Sequence, residues 1–305
     1  MSDADRVKKV LQKNFREQRD HVAEWMSEPA NRARMYDRRV EKILEPFLAD
    51  GAQKKLVPAA MRDIRYWHLM QAMQQSFNNG PHPQEQIALA GLHAFWHLEC
   101  AHAIMESDDP AGYKLYLKDF DTVSLMLALG WPDHAIRLAD TLFDRWDEQE
   151  GGAGNIAWEA LPQYVPWLSI KLYRAWSGDE IDLYAEPEDD QLDGFAGLAK
   201  HVLHEDPAVF TKALLQAADF HVLGSGVDDY DPVREYNHWF LPVELLAACR
   251  IRELKGLEMP EVAHPLFEAS PLCRLHPPVA VPEDALLAKV LPAFAKVTGT
   301  LDLDV

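Results

Sequence analysis

Residues 206–265 read DPAVFTKALLQAADFHVLGSGVDDYDPVREYNHWFLPVELLAACRIRELKGLEMPEVAHP, and the reading of this stretch decides the fold. Two helical patterns flank a loop that carries Asp228, Asp229 and Asp231. In the second pattern Trp239, Val243, Leu246 and Arg250 recur at helical spacing, and Leu245 and Cys249 widen the apolar stripe. A helix apolar over so much of its circumference belongs in the middle of a fold. Glu244 is the odd residue on it. A carboxylate there either reaches the surface or pairs with a buried base, such as an arginine of the chain's second helix. Trp239 and Glu244 are therefore read as structural.

Working outward, the helical period recurs over 3–26, 30–48, 58–78, 84–105, 112–130, 132–150, 158–176, 195–206 and 283–296. Glycines and prolines punctuate these segments: Pro29 ends the first, Gly130 closes the fifth and Pro132 opens the sixth. Sustained period-two alternation and hairpin turns between β-branched runs are missing, so strands are not expected. The expected architecture is all-α: about a dozen helices stacked as antiparallel hairpins. Residues 1–80 form an N-terminal helical region and 81–305 a main helical domain, or the two run together as one. A proline-rich strap from Pro260 to Pro282 packs down through Val262, Leu266, Phe267 and Leu272.

At 305 residues, with 48% apolar and 26% charged residues, the composition is that of an ordinary globular protein. There is no apolar run of roughly 18 residues and no leader-like h-region, so a cytoplasmic location is expected. Three cysteines, Cys100, Cys249 and Cys273, give neither a disulfide framework nor zinc spacing. The formal charge is −19. Residues 1–70 carry 15 basic against 11 acidic groups, and the remainder 15 against 38. Such a field opposes nucleic acid and anionic membranes and favours a basic partner. Every charged residue between 179 and 193 is negative: Asp179, Glu180, Asp182, Glu186, Glu188, Asp189, Asp190 and Asp193. With Asp228, Asp229 and Asp231 they are the candidate partner contacts.

Three pairs, Glu99 with His102, Glu235 with His238 and Glu261 with His264, share the spacing Glu-x-x-His. On helices two such pairs can hold a dimetal centre. The third lies in the strap, however, and no helix offers the bridging glutamates. A phosphate-binding glycine loop, a nucleophile elbow and a His-Glu-x-x-His motif are all missing. The sequence is read as having no metal site, no cofactor and no catalytic residue: a binding protein rather than an enzyme. An exposed apolar face on the N-terminal helix would also support a homodimer.

A strongly acidic, all-helical chain of this length with Trp239-x4-Glu244-Leu-Leu-Ala-Ala on a late helix resembles bacterial polymorphic-toxin immunity proteins. It is similar to the immunity proteins of PoNe-type DNase toxins (paired DUF1910/DUF1911 domains) and to the Imm49 family. The resemblance implies a cognate secreted toxin, often a nuclease, that is bound and blocked before it harms the producing cell. A nuclease needs a cationic surface for phosphate, which an acidic protein can occupy after electrostatically steered association. A helical-repeat adaptor for another basic partner is the alternative, and a metal-dependent helical enzyme a more distant one.

Overall fold

The computed structural model describes residues 3–80, 83–107, 113–145, 156–157, 163–180, 183, 186–228 and 230–305. Over these the fold is all-α, as the periodicity predicts. Helix α1 (Asp3–Ser27) stops where Pro29 restarts the chain as α2 (Pro29–Arg32). The single helix expected over 30–48 is instead interrupted by two π-helical stretches, Ala33–Asp37 and Val40–Leu44, before α3 (Glu45–Asp50). Each wider turn shifts the helix face relative to a 3.6-residue period. Ile43, Leu44 and Phe47 reach the core.

Helices α4 (Val57–Phe77) and α5 (Pro83–Met105) form the most extensive helix pair, and α5 is buried nearly all round. The helix expected over 112–130 is shorter. Leu115–Tyr116 (β1) pairs in parallel with Ile156–Ala157 (β2), a 3-10 turn covers Leu117–Asp119, and only then does α6 (Phe120–Leu129) begin. Gly130, at φ 82°, closes α6 in the left-handed conformation. Helices α7 (Pro132–Asp144) and α8 (Tyr164–Ser177) follow; the expected end of the former near 150 and start of the latter at 158 lie outside the described residues. Next come α9 (Ala196–His201) and α10 (Pro207–Leu223), the latter capped by the Asp206 carboxylate accepting from the Ala208 amide at 2.8 Å.

The central helix, α11 (Val243–Leu254), is shorter than its apolar spacing suggests. Trp239 is not on it but in the turn that follows a 3-10 segment, Tyr236–His238. Pro242 sets this boundary, because it lacks an N–H and biases the preceding residue away from the helical region. Trp239 is nonetheless buried, and its indole N–H donates to the Val233 carbonyl at 3.0 Å. The strap is not wholly irregular: it contains α12 (Pro265–Ala269) and a 3-10 turn at Pro271–Cys273. Helix α13 (Leu287–Thr298) ends the fold, and beyond it the carbonyls of Asp302 and Asp304 are held by Arg137 at 2.6 and 2.9 Å.

Every residue of α11 from Val243 to Arg252 is buried, against α6, α8 and α10. Three of these residues carry charge-bearing side chains, Glu244, Arg250 and Arg252, and each meets an internal partner. Glu244 pairs with His221 of α10, its Oε1 2.6 Å from Nδ1, and not with an arginine of the second helix. Arg250 reaches Glu253 and the carbonyls of His276 in the strap and Ala128 at the end of α6. Arg252 donates to the carbonyls of Val202, His204 and Glu258 at 2.7–3.1 Å and lies 4.4 Å over the Phe210 ring. On α1, Val7, Leu11 and Val22 are buried in contact with the rest of the fold, so the apolar face considered for a homodimer is covered.

Replacing Arg252, itself fully buried, removes the donors of three carbonyls at once, of which that of Val202 is buried. Arg252→Met is expected to lower the unfolding free energy by about 3–5 kcal/mol in urea titration. Arg252→Lys should recover less than half of that loss, since one ammonium cannot reach all three acceptors.

Candidate functional site: an acidic face and a charged cavity

The acidic run of 179–193 divides in two. Lys171 and Arg174, one turn apart on α8, face it from below. Lys171 sits 2.9 Å from both Glu186 and Asp189, and Arg174 pairs with Glu186. Burial of Lys171 works against its charge, yet the two carboxylates hold its pKa above the ordinary lysine value. Glu186 and Asp189 thus fasten the run to α8 and are not free for a partner. Asp179, Glu180, Glu188, Asp190 and Asp193 remain exposed. Asp140 of α7 extends this patch: its carboxyl is raised by partial burial and by the charge of Asp179. Asp193, at φ 51° and ψ −122°, occupies backbone space that L-residues disfavour. The chain turns there so that Gly194 can lie against Phe220, where a Cβ would come within 2.2 Å of the ring.

The loop after α10 behaves differently. Ser225 bridges Val233, and the Asp231 carboxylate folds inward to accept from the Asp228 amide at 2.8 Å. A Cβ on Gly226 would fall 1.9 Å from that carboxylate, so any other residue there would displace the Asp231 side chain. Asp231 is therefore a turn-forming residue, and Asp228 is the exposed acid of the loop. Asp182 and Asp229 lie outside the described residues.

Between the start of α6 and the α4–α5 pair lies a cavity of about 660 Å³. Lys114, Tyr116, Lys118, Arg62 and Glu235 stand exposed along its lining, and Asp121, Thr122, Leu125, Leu241 and Val243 form the buried part. Its ionisable groups are shifted in opposite directions. Burial raises Asp119 to about 6, against the Tyr116 amide, which it accepts at 2.7 Å, and the charges of Arg65, Lys118 and Arg62. Asp121 is raised well above the ordinary range by burial and by Glu244, Glu235 and Asp119. Burial and then Arg65 and Arg62 push His97 down to about 3, although its Nδ1–H donates to the Pro58 carbonyl at 2.9 Å. His238, 3.7 Å from Asp121, is likewise lowered by burial. The charge of Glu244 acts on both, and His221 acts on His238. Chemically, the cavity offers Arg65 to an anionic group, Asp121 as a carboxyl biased toward its protonated form, and Asp119 as a carboxyl whose pKa is raised to about 6.

None of the three Glu-x-x-His pairs assembles a metal centre with another. Glu99 accepts from Arg137 and Thr141, both at 2.7 Å, while His102 faces Asp144. Glu235 and His238 line the cavity. His264 bonds Asp219 and caps α12 through the Leu266 amide. The group with metal-like donor spacing among the described residues is a different one, His68, His93 and Asp284. The three cysteines are buried, and burial raises all three thiols. No described helix is long and apolar enough to cross a membrane.

Comparison with family models, with curated proteins and with solved structures finds no match to this chain.

Because the native state holds the Asp119 proton more tightly than the unfolded chain, stability contributed below about pH 4 is lost as pH rises through about 6. Asp119→Asn keeps the acceptor for the Tyr116 amide and removes that ionisation. It is expected to flatten the stability profile between pH 4 and 7 and to raise stability at pH 7 by about 1–2 kcal/mol, after allowance for solvent in the cavity. Urea unfolding across that range provides the check.

Proposed function

We propose that this protein is an immunity protein that binds a cognate basic toxin, a nuclease on the charge argument, and blocks it without catalysing a reaction. The observation that carries this reading is the division of charge at α8. The two nearby cations are engaged by Glu186 and Asp189, and five carboxylates beside them are left to solvent. Like charges so placed repel one another and weaken the free protein slightly, a cost that a cationic partner would remove. The same field accelerates encounter with that partner and opposes competing binding to phosphate polymers.

A second reading is favoured by the cavity. Its oppositely shifted carboxyl and imidazole groups around Arg65 suit a small polar molecule, and such sites are where perturbed ionisation concentrates.

The two readings separate in one experiment. The protein is co-expressed with the product of a toxin-like reading frame adjacent to its own, and growth is scored. Wild type should protect. Reversal of Asp179, Glu180, Glu188 and Asp190 to lysine, with Glu186 and Asp189 kept, should slow association about 10- to 100-fold at low salt and remove most of its salt dependence. An unchanged on-rate excludes this face as the interface. Loss of protection on Arg65→Gln, with the charge-reversed protein still protecting, would transfer the function to the cavity.

A further inference from the structure

We propose that His68 of α4, His93 of α5 and Asp284, just before α13, form a binding site for a divalent transition-metal ion of the Zn²⁺ class. One donor atom from each lies within 4.8 Å of the other two. The residues come from three separate parts of the chain, so no local motif advertises the site. His68 is 8% exposed and His93 fully buried. Their rings stack with centroids 5.5 Å apart.

The hydrogen bonds around the group orient its donors inward. His68 Nδ1–H donates to the Gln86 side-chain oxygen at 3.0 Å, which leaves the lone pair on Nε2, and Nε2 has no partner. A second-sphere bond that fixes the tautomer in this way is characteristic of histidine ligands. Asp284 Oδ1 accepts from the Leu286 and Leu287 amides, both at 2.8 Å. That anchors the carboxylate and presents Oδ2 to His93 Nε2 at 3.2 Å. His93 Nδ1, also buried, is unpartnered. Buried polar atoms without partners are uncommon in native proteins, and one ion would satisfy the free His68 nitrogen.

The spacing suits the ion. Two donors about 2.0–2.2 Å from a tetrahedral centre stand roughly 3.4 Å apart. The His93–Asp284 contact, at 3.2 Å, is already close to that value, and the His68 donor, within 4.8 Å of both, closes to it by a shift of no more than about 1.4 Å. Tyr36 packs edge-on against His68 at 6.0 Å, and it lies in the first π-helical stretch, a distortion that recurs at functional sites. Three protein ligands leave a fourth position for water. The Asp284 side chain, 12% exposed, marks the way in. A bound ion would tie the α4–α5 pair to the start of α13, whether or not a partner binds elsewhere.

The test is titration of the chelator-stripped full chain with Co²⁺, followed by its visible absorption, with Zn²⁺ in competition and thermal unfolding in parallel. Wild type should bind one equivalent of Co²⁺ with the strong d–d bands of a four-coordinate ion, release it to Zn²⁺, and unfold at a higher temperature with Zn²⁺ present. Asp284→Asn keeps an oxygen for the two amides, and His68→Gln keeps a polar side chain. Each should weaken Co²⁺ binding about 10-fold or more and abolish the thermal shift. If His68→Gln fails to fold by circular dichroism, Asp284→Asn decides alone. Absence of stoichiometric binding to the wild type overturns the proposal, as does binding that survives the variants unchanged, which would mark an adventitious surface site.

Discussion

The structure depends on a helix that is buried on every side and yet carries charge. From Val243 to Arg252, α11 has no face left for solvent, and three of those ten positions hold Glu or Arg. An unmatched charge in such a place would be expelled or neutralised. Each is matched instead: Glu244 by His221, Arg250 by Glu253 and the strap, Arg252 by three carbonyls. Because those partners come from α10, from the turn after α9, from the end of α6 and from the strap, satisfying α11 fixes where the surrounding elements sit. Apolar packing would hold a helix at that depth; the directional bonds determine its rotation and its neighbours.

The same matching sorts the rest of the protein's charge. Glu99 with Arg137, and Glu186 and Asp189 with the α8 cations, act as internal fasteners. Among the described residues, exposed acids gather on the 179–193 stretch and shifted ionisable groups line the cavity. The surface acids are exposed beside two cations already engaged by Glu186 and Asp189, which suits long-range attraction of a basic protein. In the cavity Asp121 is buried and Asp119 and His97 half-buried, and their affinity for protons rather than their net charge is what is shifted. These are two different uses of electrostatics, and the Glu244–His221 pair stands behind the second of them.

Much of the fold was legible in the sequence because helices punctuated by proline and glycine declare themselves. The segments 3–26, 58–78 and 84–105 begin and end within a residue or two of the observed helices. The misreadings have local causes. Trp239 falls on the helical stripe by spacing, but Pro242 intervenes. The segment 113–118 was absorbed into a helix although Tyr113, Leu115 and Leu117 alternate with Lys114, Tyr116 and Lys118, a period-two signal for the strand at 115–116. With the helix went the cavity, since Asp119 and Asp121 on an amphipathic helix resemble a solvated face. The acidic run was legible as composition, but not its partition, because Lys171 and Arg174 precede it by several residues and approach it only through the fold of α8. The histidine–aspartate group was beyond local pattern altogether, with its members 25 and 191 residues apart.

The central physical claim is that α11 is held by matched buried groups, and the His221–Glu244 pair tests it most directly. A double-mutant cycle with His221→Phe and Glu244→Leu, followed by urea unfolding at pH 7, measures the coupling between them. Each single change should cost about 3–5 kcal/mol by leaving the other group buried and unpaired. The double variant should cost less than the sum of the two single losses, by a coupling of about 2–3 kcal/mol. Single losses that simply add, to within about 0.5 kcal/mol, would contradict the account. They would mean that α11 is placed by apolar packing alone.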